Sequence, residues 1–167
     1  MREEIYIEEM LPEDWGQVSQ IYREGIETGY ATFEKEIPSW RAWDNSHSPE
    51  CRIVARSKEG ILGWAALSPV SKRSVYAGVA EVSVYVSKCS MGKGIGGLLL
   101  NALIQKSEEN GFWTLQAGIL PENKASLKVH YKNGFREVGR RERLGKMDGR
   151  WHDKILLERR SEKVGVD

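Results

Sequence analysis

Gly92, Gly94, Gly96 and Gly97 fall within six residues of the stretch CSMGKGIGGLL (89–99), directly ahead of a leucine-rich run. Glycine lets a backbone come close to a ligand, and the first N–H groups of a helix have no acceptor inside the helix. An anion placed there also meets the positive end of the helix dipole, so strand, glycine loop and helix start together form a seat for phosphate. The plain alternative is a tight turn without a ligand. A Walker A loop is ruled out because Lys93 is followed by Gly94 rather than Ser or Thr. A dinucleotide fingerprint is matched formally by Gly92-x-Gly94-x-x-Gly97, but Ser87 to Met91 separate it from the preceding strand. The acid such a fold wants after the next strand is offered only by Glu122, slightly late and behind Pro121.

The flanking elements must hold that seat. Val79 to Val86 alternates as a strand, with Val82, Val84 and Val86 on one face and Glu81, Ser83 and Tyr85 on the other. After the glycines, Leu98, Leu99, Ala102, Leu103 and Lys106 mark a helix that Asn110-Gly111 should stop. Upstream, Ile5 to Ile7 reads as a strand. Leu11-Pro12-Glu13-Asp14 then opens a helix carrying Trp15, Val18, Ile21 or Tyr22, and Ile26 as far as Gly29. A short helix is expected around Trp40 to Asn45, and Cys51 to Ala55 and Ile61 to Leu67 form a hairpin across Ser57-Lys58-Glu59-Gly60. Downstream come a strand Phe112 to Ile119, a helix Asn123 to Asn133 capped by Gly134, and strands Phe135 to Val138 and Trp151 to Leu157. That order predicts an α+β fold with a mixed sheet around one core, a single domain over 1–160 with a polar tail at 161–167.

Composition narrows the function classes. Lys plus Arg (25) nearly balances Asp plus Glu (24), which removes the basic field that nucleic-acid binding needs. Cys51 and Cys89 are too few for a disulfide framework and point to a reducing cytoplasm. The charged start MREEIYIEEM is unlike a signal peptide, and no apolar run nears the roughly 18 residues of a membrane span. Three histidines without a ligand cluster predict no metal site.

EVSVYVSKCSMGKGIGGLLLNALI, followed by PENKASLKVHYKNGFREVG, resembles the GNAT superfamily of acetyl-CoA-dependent N-acetyltransferases, whose core motif is Gln/Arg-x-x-Gly-x-Gly/Ala. Gly94 and Gly96 match its glycines, while Met91 stands at the first position and Gly92 where an Arg is frequent. Within that superfamily, YATFE (30–34), SKRSVYAGVAEVSVYVS (71–87) and GRWHD (149–153) resemble the phosphinothricin and methionine sulfone or sulfoximine acetyltransferases, a likeness running from about Ile5 to Leu157. The resemblance implies the acyl-CoA N-acyltransferase fold, a central twisted mixed sheet of about seven strands flanked by helices. It also implies a homodimer, acetyl-CoA as cosubstrate, and acetylation of the α-amino group of a small amino-acid analogue.

The same resemblance distributes roles. An attacking amine must be neutral, so a base must take its proton. Glu81 matches the family's catalytic Glu; its bland alternative is an exposed strand carboxylate. His130 stands where many family members carry a Tyr and is the expected proton donor to the departing thiolate, with a packing histidine as the alternative and Tyr131 as substitute. Backbone N–H groups of Val84, Tyr85 and Val86 are expected to hold the thioester and pantetheine as an added strand would. Those of Met91, Gly92, Lys93, Gly94, Ile95, Gly96 and Gly97 would hold the pyrophosphate, with Lys93 as counter-charge. Asn123 would bond the pantetheine arm or simply cap its helix. For the acceptor, Arg73 with Lys72 would bind the carboxylate. Phe33 and Tyr76 would wall the side chain, Glu81, Val82 and Ser83 would border it, and Trp151-His152-Asp153 would form a loop completing the pocket. The rival functions are a GNAT enzyme for another amine, such as a protein N-terminus or polyamine, a nucleotide-dependent oxidoreductase, and a catalytically silent acyl-CoA-binding module.

Overall fold

In the computed structural model, which describes residues 3–167, the glycine run lies between strand β4 (Val79–Val86) and helix α3 (Ile95–Glu109). Around them stand β1 (Tyr6–Glu9), α1 (Trp15–Thr28), α2 (Trp40–Ser46), β2 (Arg52–Ser57), β3 (Gly60–Pro69), β5 (Thr114–Ile119), α4 (Lys124–Lys132), β6 (Arg136–Met147) and β7 (Arg150–Arg160). The strands make one seven-stranded sheet in the order β1-β2-β3-β4-β5-β7-β6. Only the β4–β5 pair is parallel. Helices stop where the sequence predicts: α1 at Gly29 (φ 78°), α4 before Gly134 (φ 86°), and α3 before Gly111 (φ 82°), left-handed positions that suit glycine.

The sheet buries unlike material on its two faces. One face packs aliphatic side chains of β2 to β5 and β7 against Ile95, Leu99, Leu100, Leu103 and Ile104 of α3. Because α3 begins at Ile95, three residues before the expected run, its buried seam is Ile95, Leu99 and Leu103, and Leu98 is left 49% exposed. The other face is aromatic: Trp64 and Tyr85 stack at 4.9 Å, Tyr22 lies on Tyr85 at 5.0 Å, and Trp43 meets Trp64 edge-on at 5.6 Å. This second layer covers Glu81's face of β4 with α1 and α2.

Strands β6 and β7 are longer than expected and form one hairpin. Asp148 (φ 51°) and Gly149 (φ 78°) make its two-residue turn, the left-handed pair that Asp-Gly favours because it matches the strands' twist. Trp151-His152-Asp153 therefore lies in the strand expected over Trp151 to Leu157 and does not form the loop that the resemblance implied. The extension of β6 beyond Val138 was concealed because residues 139–146 are mostly charged and exposed, leaving no apolar alternation to read. Those charges suit β6 as an edge strand. The 161–167 tail folds back: Ser161 N–H donates to Trp113 O at 2.8 Å, and the Arg160 guanidinium donates to the carbonyls of Val164 and Gly165.

Candidate active site

Strand β4 pairs with β3 along its whole length but with β5 only over Val79–Glu81. Strand β5 meanwhile follows β7 from Thr114 to Ile119. Each strand thus stays with its outer partner, and the two part company after Glu81 and Gln116, opening a cleft in the middle of the sheet. The edge of β4 there is legible from its pairing. Val70 N–H bonds Val79 O and Ser87 N–H bonds Leu62 O, so in the alternating antiparallel ladder Val79, Glu81, Ser83, Tyr85 and Ser87 face β3. The N–H groups of Val84 and Val86 therefore face the open cleft, whereas that of Tyr85 is turned toward Trp64.

Below this edge lies a cavity of about 460 Å³ whose wall includes Val84, Val86, Met91, Gly92 and Gly94 to Gly97. Gly92 and Gly94 hold φ of 79° and 81°, and nothing lies within 4 Å of where a Cβ would sit on either. Their glycine requirement is conformational, not one of packing. Gly94 caps α3, and the first helical bond runs from Leu98 N–H to Gly94 O. The N–H groups of Ile95, Gly96 and Gly97 therefore have no helical acceptor. Lys93 is not on the wall, but Lys128 and Lys132 of α4 are; sequence reasoning missed them, although their four-residue spacing puts both on one helix face.

A second cavity, of about 130 Å³, occupies the gap between β4 and β5. It is lined by Glu81, Val82, Ser83, Val84, Tyr85, Asn123 and His130, all singled out from the sequence, and by Ala31, Thr32, Gly118, Ser126 and Lys154, which were not. Val84, Tyr85, Asn123, Ser126 and His130 border both cavities, so the two are one continuous cleft. Glu81 is half-buried and belongs to none of the ion pairs among the described residues. Asn123 caps α4, its Oδ1 accepting from Ser126 N–H at 3.3 Å.

His130 is 4% exposed, edge-on to Phe135 at 5.0 Å. Its Nδ1 lies 2.7 Å from Ser126 O, and since a carbonyl only accepts, Nδ1 carries the proton and Nε2 keeps a lone pair. Burial pushes the imidazole below the ordinary histidine value of 6.5, with the Ser126 carbonyl pulling weakly the other way. Tyr131, in contrast, is 45% exposed and lines neither cavity. Desolvation pushes the Tyr85 phenol well above 10.

The remaining sequence candidates are not on the cavity walls. Lys72, Arg73 and Tyr76 sit on the exposed 70–78 segment, the Arg73 guanidinium 5.5 Å over the Tyr76 ring. Phe33 stands one layer back, its ring under the Lys154 ammonium at 4.7 Å and edge-on to His152 at 6.3 Å. Among the described residues, no group of three or more His, Cys, Asp or Glu is placed to hold a metal ion.

A mixed sheet split beside a glycine-capped helix offers backbone donors to an anionic ligand that runs along the strand edge, and the comparisons give the class. The acetyltransferase (GNAT) family pattern matches residues 12–135. The chain is 32% identical over 165 residues to the phosphinothricin N-acetyltransferase of Streptomyces coelicolor, covering 93% of this chain and 96% of that one. It is 34% identical over 107 residues to an L-methionine sulfoximine/L-methionine sulfone acetyltransferase of Pseudomonas paraeruginosa, covering 64% of this chain and 62% of that one. Its fold matches the crystal structure of a GNAT superfamily phosphinothricin acetyltransferase from Sinorhizobium meliloti in complex with AcCoA, with TM-score 0.87, 28% identity, and coverage of 98% and 91%. The chain belongs to the GNAT acetyltransferase family and is an N-acetyltransferase.

Proposed function

We propose that this enzyme moves the acetyl group of acetyl-CoA onto the α-amino group of a small amino acid or analogue of the phosphinothricin, methionine sulfone or methionine sulfoximine type. The observation that carries this reading is the continuity of the cleft, with the glycine-capped helix start at one end and Glu81 at the other. The residues fit the coenzyme. Amides of the 92–97 run, at the positive end of a 15-residue helix, suit a diphosphate. Unpaired amides of Val84 and Val86 suit the amide-bearing pantetheine arm, Asn123 lines both cavities where it would bond that arm, and Lys128 and Lys132 add positive charge. Bound acetyl-CoA supplies an acetyl group activated as a thioester.

Glu81 takes the proton of the acceptor's ammonium, directly or through water, which frees the nitrogen lone pair for attack. The Val84 and Val86 N–H groups polarise the acetyl carbonyl from the edge of β4. His130 enters as a neutral imidazole: Nε2 accepts the proton that the nitrogen sheds as the C–N bond forms and gives it to the sulfur as the C–S bond breaks. No covalent enzyme intermediate is involved. A homodimer and a cytoplasmic setting belong to the same reading. Val70, Val75 and Tyr76 of the 70–78 segment leave 42%, 61% and 45% of their surface uncovered in the single chain, and Cys51 and Cys89 are both free.

The test is thiol release from acetyl-CoA across a panel of phosphinothricin, methionine sulfone, methionine sulfoximine, ordinary amino acids, a polyamine and a peptide N-terminus. The amino-acid-like acceptors should give the highest kcat/KM. Preference for the polyamine or peptide would overturn the acceptor assignment, and coenzyme binding without thiol release for any amine would mark a silent binding module.

A further inference from the structure

Among the described residues, Lys154 is the only lysine or arginine on the wall of the cavity that contains Glu81. It is half-buried on β7, and its side chain lies across Gly118 of β5: a Cβ on Gly118 would come 2.9 Å from Lys154 Cε and 3.5 Å from Nζ, so a larger residue there would require the lysine to shift. On its other side the Phe33 ring centroid lies 4.7 Å from Nζ. The ammonium is thus guided into the cavity between a glycine and an aromatic face, and it belongs to none of the ion pairs among the described residues. A partly desolvated cation without an anion is unfavourable, and the ring face compensates it only in part. Arg73, by contrast, lies on the exposed 70–78 segment outside the cavity.

We infer that Lys154, rather than Arg73, binds the carboxylate of the acceptor and makes the enzyme select zwitterionic amino acids over amines and amides that lack a free acid. The inference rests on the amino-acid reading proposed above. An α-amino acid carries its ammonium and carboxylate on one carbon, and a cavity of about 130 Å³ holding one unpaired carboxylate and one unpaired ammonium is complementary to that pair. Glu81 receives the nitrogen and Lys154 the acid. The same ammonium repels polyamines, whose further positive charges would meet it in a confined space. Like-charge repulsion therefore adds to the selectivity that the attractive contact provides.

The test uses the full chain, acetyl-CoA, the amino acid that the wild type acetylates best, and the amide of that amino acid. Lys154→Met keeps the length that packs on Gly118 and Phe33 while removing the charge, and Lys154→Arg keeps the charge. Wild type should favour the acid over its amide at least tenfold in kcat/KM. Lys154→Met should raise KM for the acid tenfold or more, leave KM for the amide and for acetyl-CoA within twofold, and so erase the preference, with Lys154→Arg restoring most of it. Thermal melts of both variants report folding separately, and calorimetric binding of the acid reports the same loss without turnover. An acid-to-amide ratio unchanged in Lys154→Met, or one that collapses in Arg73→Ala instead, overturns the assignment of Lys154 and leaves the amino-acid reading standing. A wild type that acetylates amines and no amino acid overturns that reading and the role of Lys154 together.

Discussion

At the coenzyme end of the cleft the recognition surface is backbone: amides of β4 and of the 92–97 run, drawn from a short continuous piece of chain. At the acceptor end it is side chains, brought from β4, β5, β7, α4 and the 31–33 segment, far apart in sequence. The difference decides what each end tolerates. Backbone donors survive a change of side chain, which is why Met91 can stand where relatives of the family place Gln or Arg. Side-chain donors and acceptors do not survive it, so single substitutions at the acceptor end should alter chemistry or specificity and leave the coenzyme end intact.

Glu81→Gln probes that separation most severely. The amide keeps the shape but cannot take a proton, so kcat should fall by about a hundredfold or more, while KM for acetyl-CoA stays within twofold. Steady-state kinetics with saturating acceptor measure both; a parallel loss of coenzyme affinity would mean that the two ends are not independent. Gly94→Ala is the converse probe. Its φ of 81° is left-handed and no neighbour would clash with a Cβ, so the substitution acts only through backbone strain of about 1–2 kcal/mol. KM for acetyl-CoA should rise roughly five- to tenfold as the helix start rearranges, with acceptor KM unchanged. Arg73→Ala should have a smaller effect, a several-fold increase in acceptor KM at most, since the guanidinium lies over Tyr76 on the exposed segment, outside the cavity that contains Glu81.

The two ends were also unequally legible. The coenzyme end is local: an alternating strand, a glycine run and a leucine-rich helix follow one another within 30 residues, and Gly29 and Gly134 cap helices where the sequence places them. Within that stretch the helix begins at Ile95, three residues ahead of the Leu98 from which the sequence marks it, and so takes in two of the glycines. The acceptor end depends on register. Lys154 reaches the cavity because β7 pairs with β5, placing Ile155 beside Ile119 and Leu156 beside Gly118, and nothing in a run of charged residues announces that pairing. The expected strand Trp151 to Leu157 already held Lys154, and the hairpin signal of the Asp148-Gly149 dipeptide would have extended β6 to meet it, but neither gives the β5–β7 register that turns Lys154 toward the cavity.

His130 borders both cavities, so its protonation state bears on the junction of the two ends. Burial lowers its pKa from 6.5, so as pH falls the unfolded chain binds a proton before the native one does. With more protons on the unfolded state, unfolding free energy decreases as pH drops: the contribution is intact above 6.5 and is lost as pH falls through the native value. His47, desolvated against Trp43, has the same sign, so the wild type should show the combined slope and His130→Gln only part of it. Denaturant unfolding at about pH 7 and about pH 5.5 measures the difference, which for one proton cannot exceed about 1.4 kcal/mol per pH unit. A His130→Gln variant as acid-sensitive as the wild type would mean that this imidazole is already charged in the native protein. Nε2 would then hold a proton at the outset, and His130 would serve the reaction as an acid only, with Glu81 alone left to take both protons from the nitrogen.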